Sequence, residues 1–236
     1  MISALLLDVD DTLIDTRGAM VAAGVAAVAE LWPHVRPEVR HAAAVHFQAD
    51  PSGLFGRFTR GELTFSQMRQ ARVADLLETF SLSDLDEVNA RFEDAYAPAF
   101  SANVRVFDDV LPLIGAVSAA GIRMGLLTNS SSIHTWRKLE TAGLASAFVA
   151  VATRDTLGFG KPDARAFHHA CRLLGSAPDE TTYVGDDIEI DALAARDAGL
   201  SALWLQREPG DSDGASRARA RGIPVIGSLI EVSALL

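Results

Sequence analysis

Cysteine is almost missing from this chain: Cys171 is the single one in 236 residues. A lone thiol excludes an internal disulfide framework and suits a reducing compartment. No apolar run approaches the length of a bilayer span, and the first residues lack the basic start and cleavage pattern of a secretory signal, so a cytoplasmic location is expected. Positive charge is also short, with 21 Lys and Arg against 31 Asp and Glu and a formal balance of −10. Such a balance repels nucleic acid. The basic cluster of Arg217, Arg219 and Arg221 lies in a polar C-terminal stretch and reads as solvated surface. The histidines do not make a zinc set: His41 and His46 fall on one helical pattern and His168 and His169 on another, without spaced cysteine or carboxylate partners. Gly125 and Gly185 do not amount to a dinucleotide fingerprint, because clustered glycines after the first strand are absent. Neither a nucleic acid nor a membrane is expected as a partner, and both a monomer and a homodimer stay open.

What is present is an apolar strand that opens into carboxylates. Leu5-Leu6-Leu7-Asp8-Val9-Asp10-Asp11-Thr12 places Asp8 and Asp10 two residues apart, on one side of a strand edge. Aspartates also start turns and cap helices, so this segment alone is ambiguous. Three later segments reduce that ambiguity. Leu126-Leu127-Thr128-Asn129-Ser130 is a second apolar strand ending in hydroxyl and amide side chains. Gly160-Lys161-Pro162 sets one cation in a stiff turn at a helix start. Val184-Gly185-Asp186-Asp187, followed by Asp191, repeats the strand that ends in acids.

With 49% hydrophobic and 22% charged residues, the chain has the material for one substantial core and a smaller domain. Strand signals recur at 3–8, 122–127, 147–151, 181–184, 201–205 and 223–226, with helical patterns at 109–120, 131–142, 163–174 and from Asp187 to Ala198. Continuous apolar strands alternating with helices predict an α/β fold, a Rossmann-like core of three layers with a parallel sheet covered on both faces. Ligands bind such sheets at the carboxyl ends of the strands. In the 131–142 helix, Ile133, Trp136 and Leu139 form one expected apolar stripe; Phe167, Cys171 and Leu174 form another in the 163–174 helix.

The interval from 16 to 98 breaks the alternation. Met20, Val21, Val25, Val28 and Leu31 give a helical stripe, and further helical patterns follow at 35–49, 64–79 and 84–97. The glycines at 53, 56 and 61 predict a loop near the middle, and Tyr96-Ala97-Pro98 predicts the end of the last helix. The expected division is a core from 1–15 and 99–236 with a helical domain, 16–98, inserted after the first strand; Asp15, Thr16 and Ser101 to Asn103 are the expected linkers.

The four segments, in that order, resemble the motifs of the haloacid dehalogenase superfamily of phosphohydrolases, and the resemblance runs through nearly the whole chain. It implies that Asp8 is a nucleophile forming an aspartyl-phosphate, that Asp10 protonates the leaving alcohol and then activates water, and that Thr128 and Lys161 bind the phosphoryl oxygens. It implies Mg²⁺ as cofactor, bound by the Asp8 side chain, the Asp10 carbonyl and Asp186, with Thr12, Asp187 and Asp191 supporting from behind and Asn129 shaping the phosphate loop. The inserted helices become a cap, and the expected partner is a small phosphorylated metabolite.

Within the superfamily, the dehalogenase branch lacks the second aspartate of the first motif, which this chain keeps as Asp10. Related sugar-phosphate mutases often carry an apolar residue at the position of Thr12. Phosphatase is therefore the favoured reading, with phosphosugar mutase, dehalogenase and a non-catalytic phosphate-binding regulator as alternatives. Arg57 and Arg60 are candidate substrate-binding residues of the cap, and at least two of Phe55, Phe58 and Phe65 are expected in its core.

Overall fold

The computed structural model describes residues 3–208 and 210–235 and separates into two compact units, one of Met1–Asp15 with Val106–Leu236 and the other of Thr16–Arg105. Along the chain, β1 (Ala4–Leu7) is followed by five helices of the second unit: α1 (Thr16–Leu31), α2 (Pro37–Ala49), α3 (Leu54–Thr59), α4 (Phe65–Thr79) and α5 (Val88–Asn103). The first unit resumes with α6 (Val110–Ala119), β2 (Arg123–Thr128), α7 (Ser132–Thr141), β3 (Ala150–Thr153), α8 (Arg154–Leu157) and α9 (Ala164–Leu174). It ends with β4 (Thr181–Gly185), a π-helical turn at Ile188–Leu193 running into α10 (Ala194–Asp197), β5 (Ser201–Leu205), α11 (Ser212–Ala220), β6 (Val225–Ile226) and α12 (Ile230–Ser233). No helix among the described residues is long and apolar enough to cross a membrane.

Among the described residues six strands form one parallel sheet in the order β3-β2-β1-β4-β5-β6. Every residue of β1 and β4 is buried, as strands covered on both faces must be. Ala4 and Leu6 share a core with Leu127, Tyr183, Trp204 and the α9 stripe of Phe167, Cys171 and Leu174; alternation sends the equally buried Leu5 and Leu7 to the opposite face. The strand order reverses between β1 and β4, and a doubly wound sheet opens a crevice at the carboxyl ends of the strands flanking that reversal. Asp8 and Asp186 are the residues that follow those two strands.

The helical unit has its own core, built on Val28, Trp32, Phe47, Leu76, Phe92 and Tyr96. Trp32 Nε1 donates to Ser83 O at 2.9 Å, so the largest buried ring leaves no polar atom unpaired. A Cβ on Gly24 would meet Ala44 Cβ at 2.8 Å, and its absence lets α1 and α2 approach closely. At the start of α4, Gln67 N donates to Thr64 Oγ1 and Thr64 N to Gln67 Oε1, a reciprocal cap that stops the helix from fraying.

Local features depart from the sequence reading in several places. α5 continues through Pro98 to Asn103, and the helical unit extends to Arg105. Pro98 lies on an exposed face, where the carbonyl it leaves without a donor meets water, and packing on α1 sustains the helix. The residues expected as a linker, Ser101 to Asn103, are its last turn. The glycine series encloses a short helix, α3, because Asp50 accepts from Leu54 N and Phe55 N and caps it. The third strand begins three residues later than its apolar pattern. In α7, Ile133 is 66% exposed and Trp136 38% exposed; the buried face is Thr135, Lys138 and Leu139. Phe58 meets Phe55 at a tilt and Phe65 edge-on, with Phe55 and Phe65 exposed, so those two are not core residues.

Candidate active site

The loop after β1 is a tight turn. Leu13 N and Ile14 N both donate to Val9 O, Asp11 N donates to Ile14 O at 2.7 Å, and Asp11 takes φ 58°, a left-handed conformation that aspartate tolerates better than most residues. Thr12 is fully buried within it, and its carbonyl accepts from Arg207 Nη2 at 2.6 Å. Arg207 also grips Asp109 with two bonds of 2.9 and 3.0 Å and lies over the Phe107 ring. Burial would raise the Asp109 carboxyl, but donors from Arg207, Leu229 and Ser228 outweigh it and hold the group below its ordinary value. The loop carrying Asp8 and Asp10 is thus fixed from outside by the segment after β5.

Lys161 organises the centre. Its Nζ donates to Asp8 Oδ1 at 2.6 Å, to Asp191 Oδ1 at 2.6 Å and to the Tyr183 hydroxyl at 2.8 Å, and all four groups are buried. Burial above all lifts Asp8 from 3.8 to about 7; the Lys161 charge opposes that rise, while Asp191 and Asp10 add to it. Desolvation works against the Lys161 ammonium, but Asp191 and Asp8 more than offset it, and its proton is held more tightly than usual. Tyr183 is raised well above its ordinary value by burial and then by the Asp191 and Asp8 charges, so it remains a neutral hydroxyl with Asp191 Oδ1 and Leu127 O in reach.

Carboxylate oxygens of Asp8, Asp186 and Asp191 lie within 4.8 Å of one another. This all-oxygen, anionic donor set fits a hard divalent cation. Asp191 is already engaged: Oδ1 holds Lys161, and Oδ2 accepts from Asp187 N at 3.1 Å. That close approach requires Gly185, since a Cβ there would sit 2.3 Å from Asp191 Oδ2. Trp204 Nε1 donates to Asp186 O at 2.8 Å and fixes the backbone of the other acid.

The remaining residues of the sequence pattern take defined places. Thr128 ends β2, buried, and its Oγ1 accepts from Ser130 N at 3.1 Å. Both polar atoms of the Asn129 amide are committed to the Lys161 backbone, at 2.9 Å to its carbonyl and 2.8 Å from its N–H, so Asn129 positions Lys161. The Asp187 side chain accepts from Glu189 N and Ile190 N and caps the helical turn. Arg57 and Arg60 belong to the helical unit, exposed, and both pair with Glu62 through Nε at 3.2 and 2.6 Å. Two residues of the cluster escaped the sequence reading. Tyr183 reads as an apolar strand residue, and Lys138 of α7 as a surface lysine, yet Lys138 is buried and ion-paired with Asp10 Oδ1.

A buried carboxylate beside an ammonium, at the reversal point of a doubly wound sheet and next to an oxygen site for a cation, is suited to nucleophilic displacement on an anionic centre. The chain is similar to known proteins over most of its length. Over 208 residues the chain is 28% identical to glyceraldehyde 3-phosphate phosphatase of Methanothermobacter thermautotrophicus, covering 88% of this chain and 87% of that protein. It is 30% identical over 205 residues to phosphoglycolate phosphatase of Thiobacillus denitrificans, covering 86% and 83%. Among solved structures, the hydrolase YfnB of Bacillus subtilis, bound to magnesium, superposes with a TM-score of 0.80 at 22% identity over 100% of this chain and 98% of that one, a likeness of fold. The family model for haloacid dehalogenase-like hydrolases matches residues 2–199, and the chain belongs to that family.

Proposed function

We propose that this hydrolase cleaves the phosphomonoester of a small organic phosphate, in the cytoplasm and with Mg²⁺, through an aspartyl-phosphate on Asp8. The observation that carries the reading is the division of the two motif carboxylates between separate buried cations, Asp8 with Lys161 and Asp10 with Lys138. A nucleophile and an acid/base need different environments, and these two have them.

An Asp8 oxygen attacks phosphorus and the bond to the leaving oxygen breaks; Asp10 gives that oxygen its proton. Asp10 then takes a proton from a water whose oxygen bonds to phosphorus; the bond from phosphorus to the Asp8 oxygen breaks, inorganic phosphate leaves and the Asp8 carboxylate is regenerated. Thr128 donates its hydroxyl to a phosphoryl oxygen, and the Lys161 ammonium compensates charge on the transferring group. Asp191 and Tyr183 keep Lys161 in place, as does Asn129 through its backbone. The Asp8 and Asp186 carboxylates and the Asp10 carbonyl are the groups that would hold Mg²⁺, which when bound neutralises phosphoryl charge.

Phosphate release assayed with and without Mg²⁺ on 2-phosphoglycolate, glyceraldehyde 3-phosphate, phosphoserine, sugar phosphates and nucleotides tests this reading. Metal-dependent turnover of at least one ester is expected. A folded, Mg²⁺-loaded protein that releases phosphate from none of them overturns it.

The helical unit, as the cap, takes the leaving group, with Arg57 and Arg60 as its selectivity residues. The core groups address what all phosphomonoesters share, so discrimination has to come from elsewhere. Arg57→Ala and Arg60→Ala are expected to lower kcat/KM for the best substrate by roughly 10-fold, and by less for a smaller analogue. Equal losses on both esters, or none, return the two arginines to a surface role with Glu62.

A further inference from the structure

Lys138 stands where a helix of this type normally buries an apolar side chain. On α7 the inward face is Thr135, Lys138 and Leu139, and the lysine side chain is only 6% exposed. An aliphatic residue would fill that space without the cost of desolvating an ammonium. The ion pair with Asp10 Oδ1 accounts for the charge, whereas Asp10 itself is 30% exposed and has no such need of a partner for burial. A buried ammonium in place of an aliphatic side chain therefore brings charge and hydrogen-bond donors to Asp10.

We propose that Lys138 is a positioning residue that holds the Asp10 carboxylate in the orientation required for proton transfer to the leaving oxygen; the inference rests on the acid/base role proposed for Asp10. Proton transfer is steep in geometry, and the ion pair to Oδ1 constrains the side-chain torsions that aim the carboxyl group. Lys138 reaches Asp10 from the helix that follows Thr128, so α7 links the phosphate-binding strand end to the acid/base.

The test exploits leaving groups. An alkyl phosphate needs its departing oxygen protonated, whereas the 4-nitrophenolate of 4-nitrophenyl phosphate departs as an anion. kcat/KM, which reports steps up to the first irreversible one, is measured for 4-nitrophenyl phosphate and for the fastest alkyl ester of the panel that tests the function. In Lys138→Met the alkyl value is expected to fall by roughly 10- to 100-fold and the aryl value by less than about three-fold, part of what a whole acid/base group supplies. Lys138→Arg, which keeps the charge and the donors, is expected to recover most of the alkyl activity, and Asp10→Asn to show a larger split of the same sense. If Lys138→Met fails to fold, Lys138→Gln replaces it with the same expectation.

Equal losses on both esters, or no loss, overturn the positioning role while leaving the phosphatase reading intact, as does a split in Asp10→Asn that Lys138→Met does not share. Wild-type turnover of the aryl ester alone also overturns it, because no proton transfer then remains to be positioned. A wild-type protein that hydrolyses neither ester overturns the proposed function, and this inference with it.

Discussion

Asp8→Asn is expected to abolish turnover, with kcat lower by at least about 10⁴-fold, and to leave a protein as stable as the wild type or more so. An amide oxygen is a poor nucleophile, and the other carboxylate on Lys161, that of Asp191, is engaged through both oxygens, by Lys161 and by Asp187 N. Stability follows a different logic. Burial lifts Asp8 from 3.8 to about 7, so in the metal-free protein the folded state holds a proton that the unfolded chain has released. The stabilisation from that proton is present below the unfolded value and is lost as pH rises through about 7; the neutral amide has no such dependence. Two measurements on one variant check both halves. Quenched reactions analysed by intact-protein mass should show a phosphorylated wild type and an unmodified variant, and thermal melts without metal at pH 5.5 and 8 should show a smaller pH dependence in the variant. Turnover within ten-fold of the wild type would exclude Asp8 as the nucleophile.

Removing the central cation has the opposite signature. Lys161→Met leaves Asp8 and Asp191 buried without the ammonium that bonds each at 2.6 Å. Breaking a buried ion pair from one side costs about 3–5 kcal/mol because the remaining charge is uncompensated. The expected loss is largest above neutral pH, where Asp8 must stay ionised or take up a proton against the solvent. As pH falls, Asp8 takes up its proton in the folded state before it does in the unfolded chain, and stability returns. Added Mg²⁺ should also restore part of it, by supplying positive charge to the same oxygens. Urea denaturation at pH 5.5 and 8, with and without Mg²⁺, measures all of these. A variant as stable as the wild type at pH 8 without metal would show that Lys161 does not compensate buried carboxylate charge, and the electrostatic account of the site would fail.

The site was legible where backbone and chemistry coincide. Asp8, Thr128 and Asp186 each follow or end an apolar strand, and in a parallel sheet that position is the carboxyl edge, so strand pattern and residue type point to the same place. The parallel sheet itself followed from the alternation of continuous apolar strands and helices. Tyr183 was hidden because its ring packs as any strand hydrophobe would, edge-on to Phe167, and its role lies in one oxygen atom. Lys138 was hidden for the converse reason: periodicity weights side chains by apolarity, which favoured Ile133 and Trp136 as the inward stripe over a face carrying a threonine and a lysine. A buried ion pair between residues 10 and 138 leaves no trace in local pattern. Pro98 misled through a local rule that an exposed helix face relaxes, and the 53–61 glycines hid a helix whose start depends on the Asp50 side chain.

The position of β1 has a consequence for how the protein comes into being. Ala4 to Leu7 is made before the other strands of its sheet, yet its two neighbours are β2 and β4, so Ala4 must wait for Arg123 on one side and Thr181 on the other. During synthesis this short strand, apolar throughout, emerges with both edges unpaired and carries Asp8 with it. The stretch Thr16–Arg105, by contrast, contains all the elements of its own core in one contiguous run and can close it while the rest of the chain is still being made. The catalytic sheet is therefore the late event. Its central strand remains a target for misplaced pairing, chaperones and proteases until β4 arrives, and that same arrival brings Asp186 and Asp191 to Asp8.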